Sequence, residues 1–145
     1  SLLTRMAGPD QPDLVIGSRW VPGGRINGWS HKRVALSKAG NYYVRFCLGT
    51  PVKDATAGLR LHRAAFLQEN EVLDRVATTG FGFQVEMTEL ERSLGAVIAE
   101  VPITFDERIA GESKLDSSIF VEELAMVTKG GLGRVTQAAR RVFSK

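Results

Sequence analysis

The chain has 145 residues, 43% hydrophobic and 24% charged, with a formal net charge of +3. That is the length and composition of one soluble globular domain with its own core, and it excludes a low-complexity or fibrous chain. Cys47 is the sole cysteine, which excludes an internal disulfide, and no apolar run approaches the roughly 18 residues of a membrane-spanning helix.

Ser1 to Ala7 reads as the tail of a helix stopped by Gly8-Pro9, without the basic-then-apolar pattern of a signal peptide. Asp13-Leu-Val-Ile-Gly-Ser18 is a short apolar run between turn residues and predicts a buried strand. A loop follows, with Pro22-Gly-Gly24 and Asn27-Gly28. Ser30 is placed to cap a helix from His31 to Leu48, which Gly49-Thr-Pro51 stops. Cys47, in its apolar Val44–Leu48 stretch, reads as a small core residue rather than a nucleophile. Gly58 to His62 predicts a strand, and Arg63 to Val76 a helix or two short ones. Phe81-Gly-Phe-Gln84 predicts a short strand or turn, Val85 to Leu94 a helix ended by Gly95, and Ala96 to Phe105 one buried strand. Ser117 to Thr128 and Leu132 to Phe143 predict helices separated by Lys129-Gly-Gly131. Strands alternating with helices predict an α/β layer architecture.

The charge is unevenly spread. His31 to Lys53 holds Lys32, Arg33, Lys38, Arg45 and Lys53 without an acid, and Leu124 to the end holds Lys129, Arg134, Arg140, Arg141 and Lys145, again without one. Two such segments point to an anionic partner: phosphate groups, nucleic acid or a membrane surface. The aromatic residues are not interleaved with the basic ones as stacking platforms for nucleic acid would be. Leu132 to Lys145 has the pattern of a short basic amphipathic helix, suited either to an anionic bilayer or to packing on its own domain.

Arg19 ends the first predicted strand, at the edge where open α/β sheets place ligands. Arg33 and Ser37 are four residues apart on the following helix and share a face. A guanidinium and a hydroxyl so placed, completed by Arg19, suit a phosphate; the alternative is a solvated surface. Asp54 organises a turn before the next strand. Gln84 and Glu86 flank a helix start behind the flexible Gly80–Gln84 stretch, and Glu86 favours that helix terminus electrostatically. The strand ending at Phe105 runs into a loop with Asp106, Glu107, Arg108, Glu112 and Lys114 around Gly111, where Arg108 and Lys114 are suited to a phosphate or carboxylate. His31 and His62 lack metal-ligand spacing. Gly130-Gly-Leu-Gly133 follows no strand and reads as a helix-breaking linker.

Four blocks then occur in order: Asp13-Leu-Val-Ile-Gly-Ser-Arg-Trp-Val-Pro-Gly-Gly24, Asp54-Ala-Thr-Ala-Gly-Leu-Arg60, Gly80-Phe-Gly-Phe-Gln-Val-Glu86 and Glu100-Val-Pro-Ile-Thr-Phe-Asp-Glu-Arg-Ile-Ala-Gly-Glu-Ser-Lys114. Through them, from about Asp13 to Leu132, the chain resembles the polyprenol-phosphate (dolichol-phosphate) mannose synthases, bacterial ones above all, which are inverting GT-A glycosyltransferases. The resemblance implies an α/β fold: the C-terminal portion of a GT-A (Rossmann-like) domain with a mixed sheet, plus C-terminal amphipathic helices. Residues 1–116 would be the acceptor side of the catalytic domain, and residues 117–145 helices at a membrane interface.

The implied reaction moves mannose from GDP-mannose to a polyprenyl phosphate with inversion. By resemblance, Arg19, Arg33 and Ser37 hold the acceptor phosphate, Arg108 and Lys114 cover the donor diphosphate, and Gln84 and Glu86 lie on the sugar and metal side. A divalent metal, Mg or Mn, is implied, held by an Asp-x-Asp motif that this chain does not contain. The expectation is therefore a half lacking the upstream nucleotide-binding part and inactive alone, with a sheet edge open to pairing. Implied partners are GDP-mannose, polyprenyl phosphate, the cytoplasmic face of a membrane and a separate anchor protein, without nucleic acid. Three other readings stay open: a related enzyme using another sugar nucleotide such as UDP-glucose, a non-catalytic phosphate- or nucleic-acid-binding module, and a membrane-docking domain acting through its last helix.

Overall fold

The computed structural model of the protein describes residues 1–78 and 81–107. Its elements are α1 (Leu2–Met6), β1 (Leu14–Ser18), β2 (Arg25–Asn27), α2 (His31–Leu48), β3 (Arg60–His62), α3 (Ala64–Glu69), α4 (Val72–Arg75), α5 (Phe81–Ser93), β4 (Ile98–Pro102) and β5 (Thr104–Asp106). The fold is α/β with a mixed sheet, consistent with part of a Rossmann-like glycosyltransferase domain. The helices expected over residues 117–143 lie outside the described residues, as does the division at residue 116.

β1 is fully buried, as its uninterrupted apolar run requires, because it is the central strand of a three-stranded sheet in the order β3-β1-β4. β3 pairs with it antiparallel and β4 parallel, the latter from Leu14 opposite Ile98 to Ser18 opposite Pro102. The C-terminal ends of β1 and β4 therefore open on the same edge. Asp13 braces the opposite end: its carboxylate accepts from the Val97 N–H at 2.9 Å and from Arg63 Nε at 3.2 Å.

α2 packs Val44 and Leu48 onto Leu14 and Ile16, with Val52, Ala55, Ala57 and Val85 completing the core and Cys47 and Tyr43 packed against it. The Ser30 hydroxyl accepts from the Arg33 N–H at its start, and Gly49 closes it with left-handed φ 58° and ψ 29°.

Three sequence expectations give way. Phe81-Gly-Phe-Gln84 is the first turn of α5, not a strand or turn. Its glycines lower helix propensity, but Gly82, Val85, Thr88 and Glu91 form one buried face, and packing decides. The single strand expected from Ala96 to Phe105 is two, handed over at Ile103, whose N–H donates to Ser18 O in one sheet while its carbonyl accepts from Arg25 N in the other. The expected burial is also only partial, since β4 is an edge strand among the described residues. The third difference is β2, inside the expected glycine loop, pairing parallel with β5.

Arg60 joins the layers. Its guanidinium donates to Ala55 O (2.6 Å), Ala57 O (2.8 Å) and Thr88 Oγ1 (2.7 Å), bridging the turn before β3 to α5. Burial draws its pKa down to about 10, against the upward pull of Glu91, Asp54 and Glu100. Glu91 is fully buried, and His62 Nδ1 lies 2.9 Å from its Oε1 without hydrogen-bond alignment. His62, given no role from spacing, thus lies against the buried Glu91.

Replacing Arg60→Ala should strip these bonds and remove a positive charge that interacts with the buried Glu91, lowering stability by about 3 kcal/mol in urea unfolding at neutral pH.

Candidate functional site

Where β1 ends, the chain turns back on itself through Val21 to Gly24. A Cβ at Gly24 would meet the Arg19 carbonyl oxygen at 2.5 Å, so only glycine allows this fold-back. The turn and one face of α2 enclose a cleft of about 610 Å³, lined by Arg19, Trp20, Val21 to Gly24, Lys38, Asn41, Tyr42, Arg45 and Lys53. It sits at the edge where β1 and the parallel β4 end.

Arg19 is anchored before it can act on any ligand. Its Nε and Nη2 donate to the two oxygens of Asp54 at 2.8 and 2.6 Å, and its backbone N–H donates to the same carboxylate at 2.9 Å. Nη2 also reaches Thr56 Oγ1 at 3.1 Å, which in turn accepts from Asn41 Nδ2 at 3.1 Å. Expected only to organise its own turn, Asp54 is fully buried and also clamps that turn to the end of β1. Glu100 on β4 fixes Asp54 from behind, accepting from the N–H groups of Lys53 (2.8 Å) and Asp54 (3.0 Å). With two sides bonded, Arg19 presents its remaining edge to the cleft.

The expected trio is partly gathered. The guanidinium carbons of Arg19 and Arg33 lie 5.2 and 4.2 Å from the Trp29 ring centre, so one indole carries both cations. Arg33 is ion-paired with Glu107, just past β5. Ser37 lies one turn further along α2 and gives its carbonyl to Asn41 Nδ2 at 2.9 Å. Arg33 and Ser37 are not among the residues lining the cleft.

Gln84 and Glu86 lie inside α5, not at its flank, and do not line the cleft either. Glu86 holds the preceding loop instead of acting on its helix terminus: its carboxylate accepts from Thr78 N–H (2.8 Å), the Thr78 hydroxyl and Ala77 N–H (3.2 Å). Burial pushes its pKa up, but these bonds outweigh burial and hold the carboxyl below its ordinary value. Arg108 and Lys114 fall outside the described residues.

Lys38, Asn41, Tyr42 and Arg45 were not singled out from the sequence as a site. The signal was available: they recur at i, i+3, i+4 and i+7 within the acid-free run, which is one face of a helix. Trp20 and Lys53 reach the same cleft only by folding, and Lys38 Nζ settles 5.2 Å from the Trp20 ring centre.

No family model matches the chain. An undecaprenyl-phosphate mannosyltransferase of Micrococcus luteus is 48% identical over 120 residues, which cover 83% of this chain and 49% of that protein. A polyprenol monophosphomannose synthase of Mycolicibacterium smegmatis is 42% identical over 127 residues, 87% of this chain and 48% of the relative. The chain is homologous to polyprenyl-phosphate mannosyltransferases. It spans about half the length of the curated relatives it matches.

In this mannosyltransferase homologue, no group of three or more His, Cys, Asp or Glu is placed to hold a metal ion among the described residues. Glu86, expected on the metal side, has both oxygens committed to the Ala77–Thr78 segment. The described residues thus supply no ligand set of their own for the implied divalent metal, whose Asp-x-Asp motif is not in this chain. No described helix is long and apolar enough to cross a membrane.

Asp54→Asn should leave Arg19 buried without its counter-charge. We expect a loss of about 3 to 5 kcal/mol in stability and a disordered cleft wall, seen by denaturant unfolding and by the indole signals of Trp20 and Trp29. For Glu86, a depressed folded-state pKa means stability that is present above the ordinary value of 4.5 and lost as pH falls through the lower folded value. The stability difference between the parent and Glu86→Gln should shrink on acidification below that range, together with amide-exchange protection of Ala77 and Thr78.

Proposed function

We propose that the whole protein transfers mannose from GDP-mannose to a polyprenyl phosphate with inversion, and that this chain supplies the acceptor side of a GT-A catalytic domain. One observation carries the reading. A cation-rich cleft with aromatic walls stands at the ligand-bearing edge of the sheet, in a chain whose relatives are named for mannosyl transfer to prenyl phosphates.

The chemistry suits these residues. A phosphate oxygen of the acceptor attacks the anomeric carbon; the C–O bond to the donor diphosphate breaks, and the nucleotide diphosphate leaves with that electron pair. The acceptor is already an anion, so no side chain has to remove a proton. What the protein must supply is position and charge. Arg19, held rigid by Asp54, with Arg33 and Ser37 beside it, is assigned to the acceptor phosphate. Arg108 and Lys114 are assigned to the leaving diphosphate. Gln84 and Glu86 are left on the sugar side, with Glu86 acting through the loop it holds. The proposal includes Mg or Mn bound by residues outside those described. A lipid acceptor also implies a peripheral position at the cytoplasmic face of a membrane, with or without a separate anchor protein.

The whole protein, given GDP-mannose, a polyprenyl phosphate and a divalent metal, should form a mannosyl lipid. Arg33→Ala should lower kcat/KM for the acceptor about 10- to 100-fold without unfolding the protein, since one charge-assisted contact contributes about 1.5–3 kcal/mol. Absence of product from a folded protein would sink the reading, and product with UDP-glucose alone would replace the donor.

A further inference from the structure

Arg19 and Arg33 share the Trp29 indole but have counter-ions of different kinds. The Arg19–Asp54 pair is sealed, with side chains 9% and 0% exposed. The Arg33–Glu107 pair is open, at 28% and 41%. A pair wet at both ends shifts an equilibrium only about two- to fivefold, because water and salt compete with it. Arg33 can therefore exchange its anion, whereas separating Arg19 from Asp54 would leave a buried carboxylate uncompensated.

The backbone nonetheless delivers Glu107 to this place. Its N–H donates to Asn27 O at 3.1 Å, one residue past the Asn27–Asp106 pairing of β2 and β5. Its Cβ lies over Gly28, where any side chain would meet it at 2.9 Å. The residue before it is tied down as well, since Asn27 Nδ2 donates to Asp106 Oδ1 at 2.7 Å. The cation is held independently of the carboxylate. Arg33 stands 4.2 Å from the Trp29 ring centre, and Phe105 braces that ring edge-on. The pair also leaves Arg33 incompletely satisfied: Glu107 takes Nη1, while Nε is buried without a hydrogen-bond partner among the described residues. A phosphate brings more acceptor oxygens and more charge than one carboxylate.

We propose that Glu107 is a resident counter-ion that holds Arg33 until the acceptor phosphate displaces it, and so sets how tightly the acceptor binds. This rests on the assignment of Arg33 to that phosphate and adds a residue that works against binding. No covalent bond changes in the exchange. The Glu107 carboxylate turns out to water, a phosphate oxygen takes its place on Nη1, and the guanidinium stays on Trp29.

The test is calorimetric binding of geranyl phosphate to the whole protein without a sugar nucleotide. Glu107→Gln should tighten binding about two- to fivefold, the factor that an open ion pair contributes. Glu107→Ala should do the same, which separates the lost charge from a misplaced amide. In mannosyl transfer the acceptor KM should fall by a similar factor. In an Arg33→Ala background Glu107→Gln should bring no gain, because its effect runs through the ion pair. Asp106→Asn, which removes the same charge one residue earlier, should not tighten binding. The inference falls if neither Glu107 variant tightens binding, or if both tighten it as much without Arg33, which would make Glu107 a general repulsive charge. Either result leaves the transfer reading standing while the parent makes mannosyl lipid and Arg33→Ala slows it. Absence of mannosyl lipid, with binding still coupled between Glu107 and Arg33, overturns the transfer reading and supports the exchange.

Discussion

The site depends on one buried ion pair. Asp54 is wholly shielded from water and meets Arg19 through both carboxylate oxygens and a backbone N–H. Taking two charges out of water is tolerated only when the geometry is this complete and the remaining polar atoms are bonded. Glu100, Thr56 and Asn41 complete it from β4, the loop and α2. The pair therefore locks three separate pieces of chain, the Asp54–Thr56 loop, β4 and α2, to the end of β1. An Arg19 free in solution would sample many rotamers; here its direction is set before a ligand arrives.

That neutralised pair also explains the sign of the cleft. A cation anchored on a carboxylate adds little net charge, so the field of the cleft comes from Lys38, Arg45 and Lys53. α2 supplies two of these along one face while its other side packs on Leu14 and Ile16. Core and site are thus two faces of the same helix. Arg33 follows a different pattern, stacked on Trp29 and paired with Glu107 where β5 ends. Trp29 also meets Phe105 edge-on at 5.4 Å, so the aromatic group that holds Arg33 is itself held by β5. The small β2-β5 sheet in this way fixes Trp29 and, through it, Arg33.

Much of the fold was legible in the sequence. β1 announced itself by an unbroken apolar run, and α2 by its Ser30 cap and Gly49 stop, because those signals are local. The α/β class followed from the same kind of reading. The first turn of α5 did not, since Gly82 reads as a helix breaker until its burial against neighbouring elements is known. Nor did β2, whose three residues are too few to show a period and which exists only through its pairing with β5.

The sequence by itself determined which residues carry charge, which runs must be buried and which family the motifs resemble. Those properties follow from side-chain chemistry and short-range spacing. The tertiary structure alone decided how the charges divide. Asp54 is 35 residues from Arg19, Glu107 is 74 from Arg33, and Lys53 joins Lys38 and Arg45 only around the end of β1. Whether an arginine is neutralised or left to meet a phosphate depends on distances of a few ångströms, and those are set by packing across the fold.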